Sequence, residues 1–283
     1  MLADSAWTSY LSARETALTS CADPAVAATS IGRAETRLQA YLGMGPEQAS
    51  AHARRSFLYA ADAAFHDQLL ASGSADLLRA IVEQTSLDDL PLARERPRGV
   101  LAVTLHYGPA TSILPLWLAM ASRTGMIPQV AVIQNSRRNP KVMLSAQRHA
   151  MLADCGFPFD DLDIARLGEV AVLRRGLALL RDGGIVLIFA DGQLPRPGAK
   201  RIFTCRLGAG SLVLPQGAEW LARSADVPLL PLLLRPDRDG HRLASLNACA
   251  PEHAQRGLQA LIDAAMDFDP APWSRWCCSA DHF

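Results

Sequence analysis

GVLAVTLHYGPAT occupies residues 99–111, and how it is parsed decides the fold. The run from Gly99 to Leu105 is apolar apart from Thr104, and three of its members (Val100, Val103, Thr104) are β-branched. A short run of this kind, with no polar alternation, is the mark of a strand covered on both faces. It ends in His106, Tyr107, Gly108 and Pro109, a turn composition. Strands covered on both faces belong mainly to parallel sheets flanked by helices.

The segments further along repeat the pattern. SILPLWLAMASRT (112–124) predicts an apolar helix, and QVAVIQ (129–134) a second buried strand. NPKVMLSAQRHAMLADCG (139–156) predicts a helix stopped by Gly156. EVAVLRRGLALLRDGG (169–184) is an amphipathic helix ending at Gly183 and Gly184, and IVLIFAD (185–191) is a third strand. AGSLVLPQGAEWLARSAD (209–226) includes a helix, VPLLPLLLRP (227–236) is a fourth strand, and QRGLQALIDAAMDF (255–268) is the last helix. Strands alternating with helices predict an α/β fold, with a mostly parallel central sheet flanked by helices on both faces.

Before this core, residues 6–95 read as helical throughout, with Ala and Leu recurring at three- and four-residue spacing. Leu58, Ala61, Phe65 and Leu69 are expected to share one helix face. PLARERPRG (91–99) closes that part. No Gly/Ser linker separates it from the strand-rich core. The expectation is one domain over 1–283, with a helical N-terminal part (1–95) packed on a core (96–283).

Composition excludes several function classes. Lys plus Arg and Asp plus Glu both number 28, so the chain has no net charge to draw it to nucleic acid. No run of about 18 apolar residues is present, so no transmembrane segment is expected, though peripheral membrane contact is compatible with the 49% hydrophobic content. The N-terminal sequence lacks a basic region followed by an apolar one. The six cysteines show no C-x-x-C spacing and no Cys/His cluster, which argues for free thiols and against a bound metal. These readings predict a cytoplasmic protein.

His106 is the first candidate for chemistry. It follows a buried strand, and strand C-termini in such sheets face the crevice where ligands bind. Its unperturbed pKa near neutrality suits proton transfer, while a locally satisfied structural histidine is the bland alternative. Asp191 ends the third strand, where its carboxylate either faces the same crevice or caps the following turn. Arg137, Arg138, Asn139 and Lys141 form a basic loop able to grip a phosphate, and Lys200, Arg201 and Arg206 form a second basic group. Cys155 and Cys205 read as packing thiols, and His149, His241, His253 and His282 as surface residues.

GVLAVTLHYGPAT resembles the first motif of the lysophospholipid acyltransferase-like superfamily, in particular its lipid A lauroyl/myristoyl acyltransferase branch. VIQNSRRNPKVMLSAQRHAMLADCG, LRRGLALLRDGGIVLIFADGQ and RLGAGSLVLPQGAEWLARSADVPLLPLLL are similar to that family's later blocks and stand in the same order. The tail PWSRWCCSADHF echoes its Trp/basic/aromatic ending. The resemblance covers roughly residues 80–283. It implies acyl transfer from a thioester, on acyl carrier protein phosphopantetheine or on CoA, to a hydroxyl or amine of a small-molecule or lipid acceptor. No cofactor or metal is implied, and His106 is the general base.

The same resemblance implies an acidic residue five positions after the histidine, but Thr111 stands there. A hydroxyl accepts a hydrogen bond from imidazole yet offers no charge. Three outcomes are open. A carboxylate from elsewhere, Asp191 or Glu219, takes the role; the reaction proceeds with an unassisted histidine; or the chain only binds. The expected site is therefore His106, Thr111 and Asp191 for catalysis. Tyr107, Gly108, Arg137, Arg138, Asn139, Gln193 and Arg206 are expected to contact substrate. The expected activity is a soluble acyltransferase of specialised lipid or secondary-metabolite biosynthesis. A thioester hydrolase or cyclase on the same fold, or an inactive acyl- or carrier-binding homologue, are the alternatives.

Overall fold

A computed structural model describes residues 2–19, 24–72, 80–81, 85–87, 99–123, 129–135, 160–192, 201–237 and 240–277. The sequence expectations for Arg137, Arg138, Asn139, Lys141, Gln193, Lys200, His149, His282, Cys21, Cys155, Cys278 and the helix at 139–156 lie outside these residues.

Three helices come first: α1 (Leu2–Thr19), α2 (Pro24–Leu42) and α3 (Pro46–Ser72). The sheet strands begin with β1 (Thr85–Leu87), β2 (Val100–Thr104), β3 (Val130–Gln134), β4 (Asp160–Asp163) and β5 (Ile185–Phe189). Helix α4 (Ala110–Arg123) lies between β2 and β3, and α5 (Glu169–Arg181) between β4 and β5. A hairpin of β6 (Ile202–Leu207) and β7 (Gly210–Pro215) precedes α6 (Gly217–Ala225), β8 (Leu229–Asp237), β9 (Gly240–Ser245) and α7 (Ala254–Phe268). The main sheet has seven strands in the order β1-β9-β8-β2-β5-β3-β4. β8, β2, β5, β3 and β4 are mutually parallel, and β9 runs antiparallel to β8. The fold is α/β with a mostly parallel sheet, as the alternation of strand and helix patterns predicts.

Period-2 alternation divides the strand side chains between two cores. Leu101, Val103, Leu105, Ala131 and Val186 face one side, packed with α2, α5, α6, α7 and the hairpin. Val100, Ala102, Val130, Val132, Ile185 and Leu187 face the other, against α4 and against Tyr10 of α1 and Leu69 of α3. Both faces are covered, so β2 is buried at every position, which is why its sequence shows no polar alternation. Among the described residues no helix is long and apolar enough to cross a membrane.

Four local expectations are corrected. Thr85–Leu87 is a strand inside the stretch that reads as helical, pairing with the edge of β9. Three residues are too few to show a period. The β6–β7 hairpin reads in the sequence only as a glycine turn. It forms because Gly208 adopts a positive φ of 57° and comes so close to α2 that a Cβ there would lie 1.9 Å from the Tyr41 carbonyl. Leu58 is 47% exposed, so the buried stripe of α3 is not the expected one but runs through Ala49, Ala53, Ser56, Asp62, His66 and Leu69. His241 is 2% exposed, inside the sheet–helix interface instead of on the surface. His253 is exposed, as its sequence context predicts.

Candidate active site

Parallel register builds the site. Throughout the β2–β5 ladder each residue faces the one 85 positions later, from Val100 opposite Ile185 to Thr104 opposite Phe189. The ladder continues with a hydrogen bond from the Ala190 N–H to the Thr104 carbonyl at 2.8 Å. Two residues past each strand stand His106 and Asp191, still side by side at the C-terminal edge of the sheet. The Asp191 carboxylate accepts from the His106 backbone N–H at 3.0 Å and meets imidazole Nδ1 at 2.8 Å. An ionised carboxylate only accepts, so Nδ1 carries a proton, and in the neutral ring Nε2 is the acceptor. The His106 side chain is 22% exposed, and its ring packs beside Phe189 with centroids 4.8 Å apart.

Asp191 is itself buried and fully engaged. Its Oδ2 accepts from the indole N–H of Trp273 at 2.8 Å and from Nε of Arg275 at 3.3 Å. Burial alone would raise the carboxyl pKa. The charges of His106 and Arg275, with the hydrogen bonds from His106 and Trp273, outweigh it and hold Asp191 well below the usual carboxylate range. Arg275 Nη2 also lies 3.0 Å from Nδ1. Two donors cannot bond each other, so with the proton on Nδ1 this is a close approach of positive charge beside the ring. The carboxylate charge is thus divided between His106 and Arg275.

The sequence does not single out Trp273 and Arg275 as site residues. The only signal is the tail PWSRW, whose Trp-basic-aromatic text carries no periodicity. The tail reaches the site by pairing with the histidine turn. Ser274 N–H donates to the His106 carbonyl at 2.9 Å, Gly108 N–H donates to the Pro272 carbonyl at 2.7 Å, and Tyr107 bridges antiparallel to Trp273.

This pairing also engages two of the residues expected to contact substrate. The Tyr107 ring is buried, and its hydroxyl donates to the Asp269 carbonyl at 2.5 Å. Burial and the nearby Asp269 charge push that phenol upward. Gly108, at a φ of 55°, spends its N–H on Pro272. Both residues anchor the tail through these bonds.

Thr111 sits in the first turn of α4, half-buried, and makes no hydrogen bond to the imidazole. Glu219 pairs with Arg223 on α6. Arg206 lies exposed on β6, where its backbone N–H and carbonyl bond the side chain of Gln259 at 2.6 and 2.9 Å. It makes no contact with the His106–Asp191 pair. Cys205 is buried, and burial raises its thiol to about 11, in keeping with a packing role. Among the described residues no group of three or more His, Cys, Asp or Glu could hold a metal.

A cavity of about 490 Å³ opens on the same edge of the sheet, lined by His52, Arg55, Tyr59, Pro236, Phe268 and Asp269 among others. Pro236 lies at the end of β8, parallel to β2, and the Asp269 carbonyl is the one that receives the Tyr107 hydroxyl. No protein-family model matches the chain, and no curated protein is significantly similar to it.

Proposed function

We propose that the chain is an acyltransferase using a thioester donor, with His106 as general base and Asp191 as the carboxylate that orients it. The observation that carries the reading is the 2.8 Å contact between Asp191 and Nδ1 of a partly exposed imidazole at the C-terminal edge of a parallel sheet. It supplies from an adjacent strand the charge that Thr111 cannot offer. Holding the Nδ1–H tautomer aims the Nε2 lone pair outward, the form a base needs.

In the proposed reaction Nε2 takes the proton of a hydroxyl or amine as its heteroatom attacks the thioester carbonyl. The tetrahedral intermediate collapses with cleavage of the carbon–sulfur bond, and the leaving thiolate takes the proton from the imidazolium. Asp191 stabilises that imidazolium without being protonated, in keeping with its depressed pKa. The backbone N–H groups of residues 106–108 are already committed to Asp191, Leu105 and Pro272. Donors to the developing oxyanion therefore come from outside the turn, and the basic residues Arg137, Arg138 and Lys141 are the proposed source. They and Gln193 are also the proposed grip on the phosphopantetheine arm of CoA or an acyl carrier protein. The cavity beside Asp269 has the size of a small-molecule site. Specialised lipid or secondary-metabolite biosynthesis is the proposed setting.

The test is thiol release from a panel of acyl-CoA and acyl-carrier-protein thioesters, with and without hydroxyl and amine acceptors, and with product masses recorded. Transfer is expected to fall roughly 10²- to 10⁴-fold in His106→Ala. Unchanged turnover in that variant contradicts the reading. A free acid as the sole product would make the chain a thioesterase on the same chemistry.

A further inference from the structure

We infer that Arg37, on the second helix of the N-terminal part, is a positioning residue for the His106–Asp191 pair; the inference rests on the function proposed above. Arg37 is 7% exposed, and its Nη1 donates to the carbonyls of Arg275 at 2.9 Å and Trp276 at 3.1 Å. One turn earlier on the same helix, Arg33 Nη1 donates to the Cys277 carbonyl at 2.9 Å. Consecutive carbonyls of the tail are thus held by two guanidinium groups from α2.

The segment they hold supplies the groups that fix Asp191. Arg275 approaches Oδ2 through Nε and Nδ1 of His106 through Nη2, and Trp273 donates its indole N–H to Oδ2. The tail also pairs by backbone with the histidine turn, and the Trp276 indole N–H donates to the Pro270 carbonyl within the tail. A guanidinium bonded to two carbonyls is a stronger restraint than either neutral bond, because one partner is charged. Its buried location leaves no water to replace it. Removing it takes the charged partner from the Arg275 carbonyl and leaves the neutral Cys277 N–H there, so the Arg275 guanidinium is held less firmly between Asp191 and Nδ1. If Nδ1 comes to accept from Arg275, the proton moves to Nε2, and the base is lost through a change of tautomer alone. Residue 37 never touches the reacting atoms. It acts through a chain of four residues: 37, 275, 191 and 106.

The experiment uses the full chain with Arg37→Met and Arg37→Lys, the lysine keeping the charge and a donor nitrogen but not the planar guanidinium that places Nη1 between the two carbonyls. The first readout is the ¹⁵N NMR signature of the His106 ring, assigned by its disappearance in His106→Gln, which reports the tautomer whether or not a substrate is known. The second is kcat and KM for thiol release. The Nδ1–H form is expected to dominate in the natural chain and to give way to a mixture in Arg37→Met, with a smaller change in Arg37→Lys. kcat is expected to fall about tenfold or more with KM changed less than about twofold. A folded Arg37→Met protein whose His106 signature and kcat match the natural chain overturns the inference. So does a variant that loses only thermal stability. A tautomer change in a chain that transfers no acyl group would refute the proposed function and leave the positioning role standing.

Discussion

The molecule holds two histidine clusters, one at the C-terminal edge of its sheet and one between α1, α3 and β9, and they are built on opposite rules. At the strand ends, His106 is tied to a charged carboxylate, an indole and a guanidinium that together satisfy each other, while one edge of the ring faces out. Between α1, α3 and β9, His66 and His241 lie 5.5 Å apart, ring to ring. His66 Nδ1 donates to the Asp62 carbonyl at 2.7 Å, so its Nε2 accepts from the Tyr10 hydroxyl at 2.8 Å. Arg14 closes the cluster with a two-pronged bond to Asp62, at 2.6 and 2.9 Å. Among the described residues neither ring nitrogen of His241 has a hydrogen-bond partner. The first cluster sets a partly exposed ring against a carboxylate, and in the second burial disfavours the protonated form of both rings.

The largest expected effect comes from breaking the first cluster. Asp191→Asn keeps the shape but strands the Arg275 charge in a buried site, which costs about 3–5 kcal/mol in comparable cases. It also removes the carboxylate that fixes the tautomer, a change that lowers kcat on the order of 10⁴-fold in a histidine-dependent acyl transfer. Denaturant melts and thiol release measure the two. In the natural chain the folded Asp191 pKa lies below its unfolded value. Its contribution is therefore complete above the usual carboxylate range, and is lost only as pH falls through the strongly acid folded value.

His241 titrates in a different window. Burial first, then the charges of His66 and Arg14, depress it well below 6.5. A histidine whose folded pKa is depressed contributes fully above its unfolded value and less as pH falls below it. Stability from this site should therefore decline below about pH 6.5, by up to about 1.4 kcal/mol per unit. His241→Leu is expected to flatten that decline in melts between pH 7 and 5 while leaving kcat near its natural value. A slope identical to the natural chain's would show that the second cluster does not exclude protons. The smallest effect belongs to Thr111→Val, with stability within about 0.5 kcal/mol and turnover within about twofold, since no bond joins this hydroxyl to the ring.

These clusters also show what a sequence exposes. Gly99–Leu105 reads as a doubly buried strand because every side chain there has the same task, and His106 is flagged by its place at the end of that run. Asp191 is recoverable on the same basis, as the polar residue after another such strand. Their contact depends on β2 and β5 being neighbours at an offset of 85 residues, which no local pattern encodes. Trp273 and Arg275 are harder still to find. They lie in an irregular tail whose position is set by backbone bonds to the histidine turn and by Arg37, more than two hundred residues away. His241 reads as exposed because the sequence around it shows no strand, so a polar residue there looks like part of a surface turn until β9 and the helices covering it are placed.

Whether Asp191 acts through His106 is decided by a double-mutant cycle on kcat/KM for thioester consumption. The predicted result is that His106→Ala with Asp191→Asn loses no more activity than His106→Ala alone, because the carboxylate has no task once the ring is gone. Losses that multiply in the double variant would show that the two residues work independently and that Asp191 does not act through the imidazole.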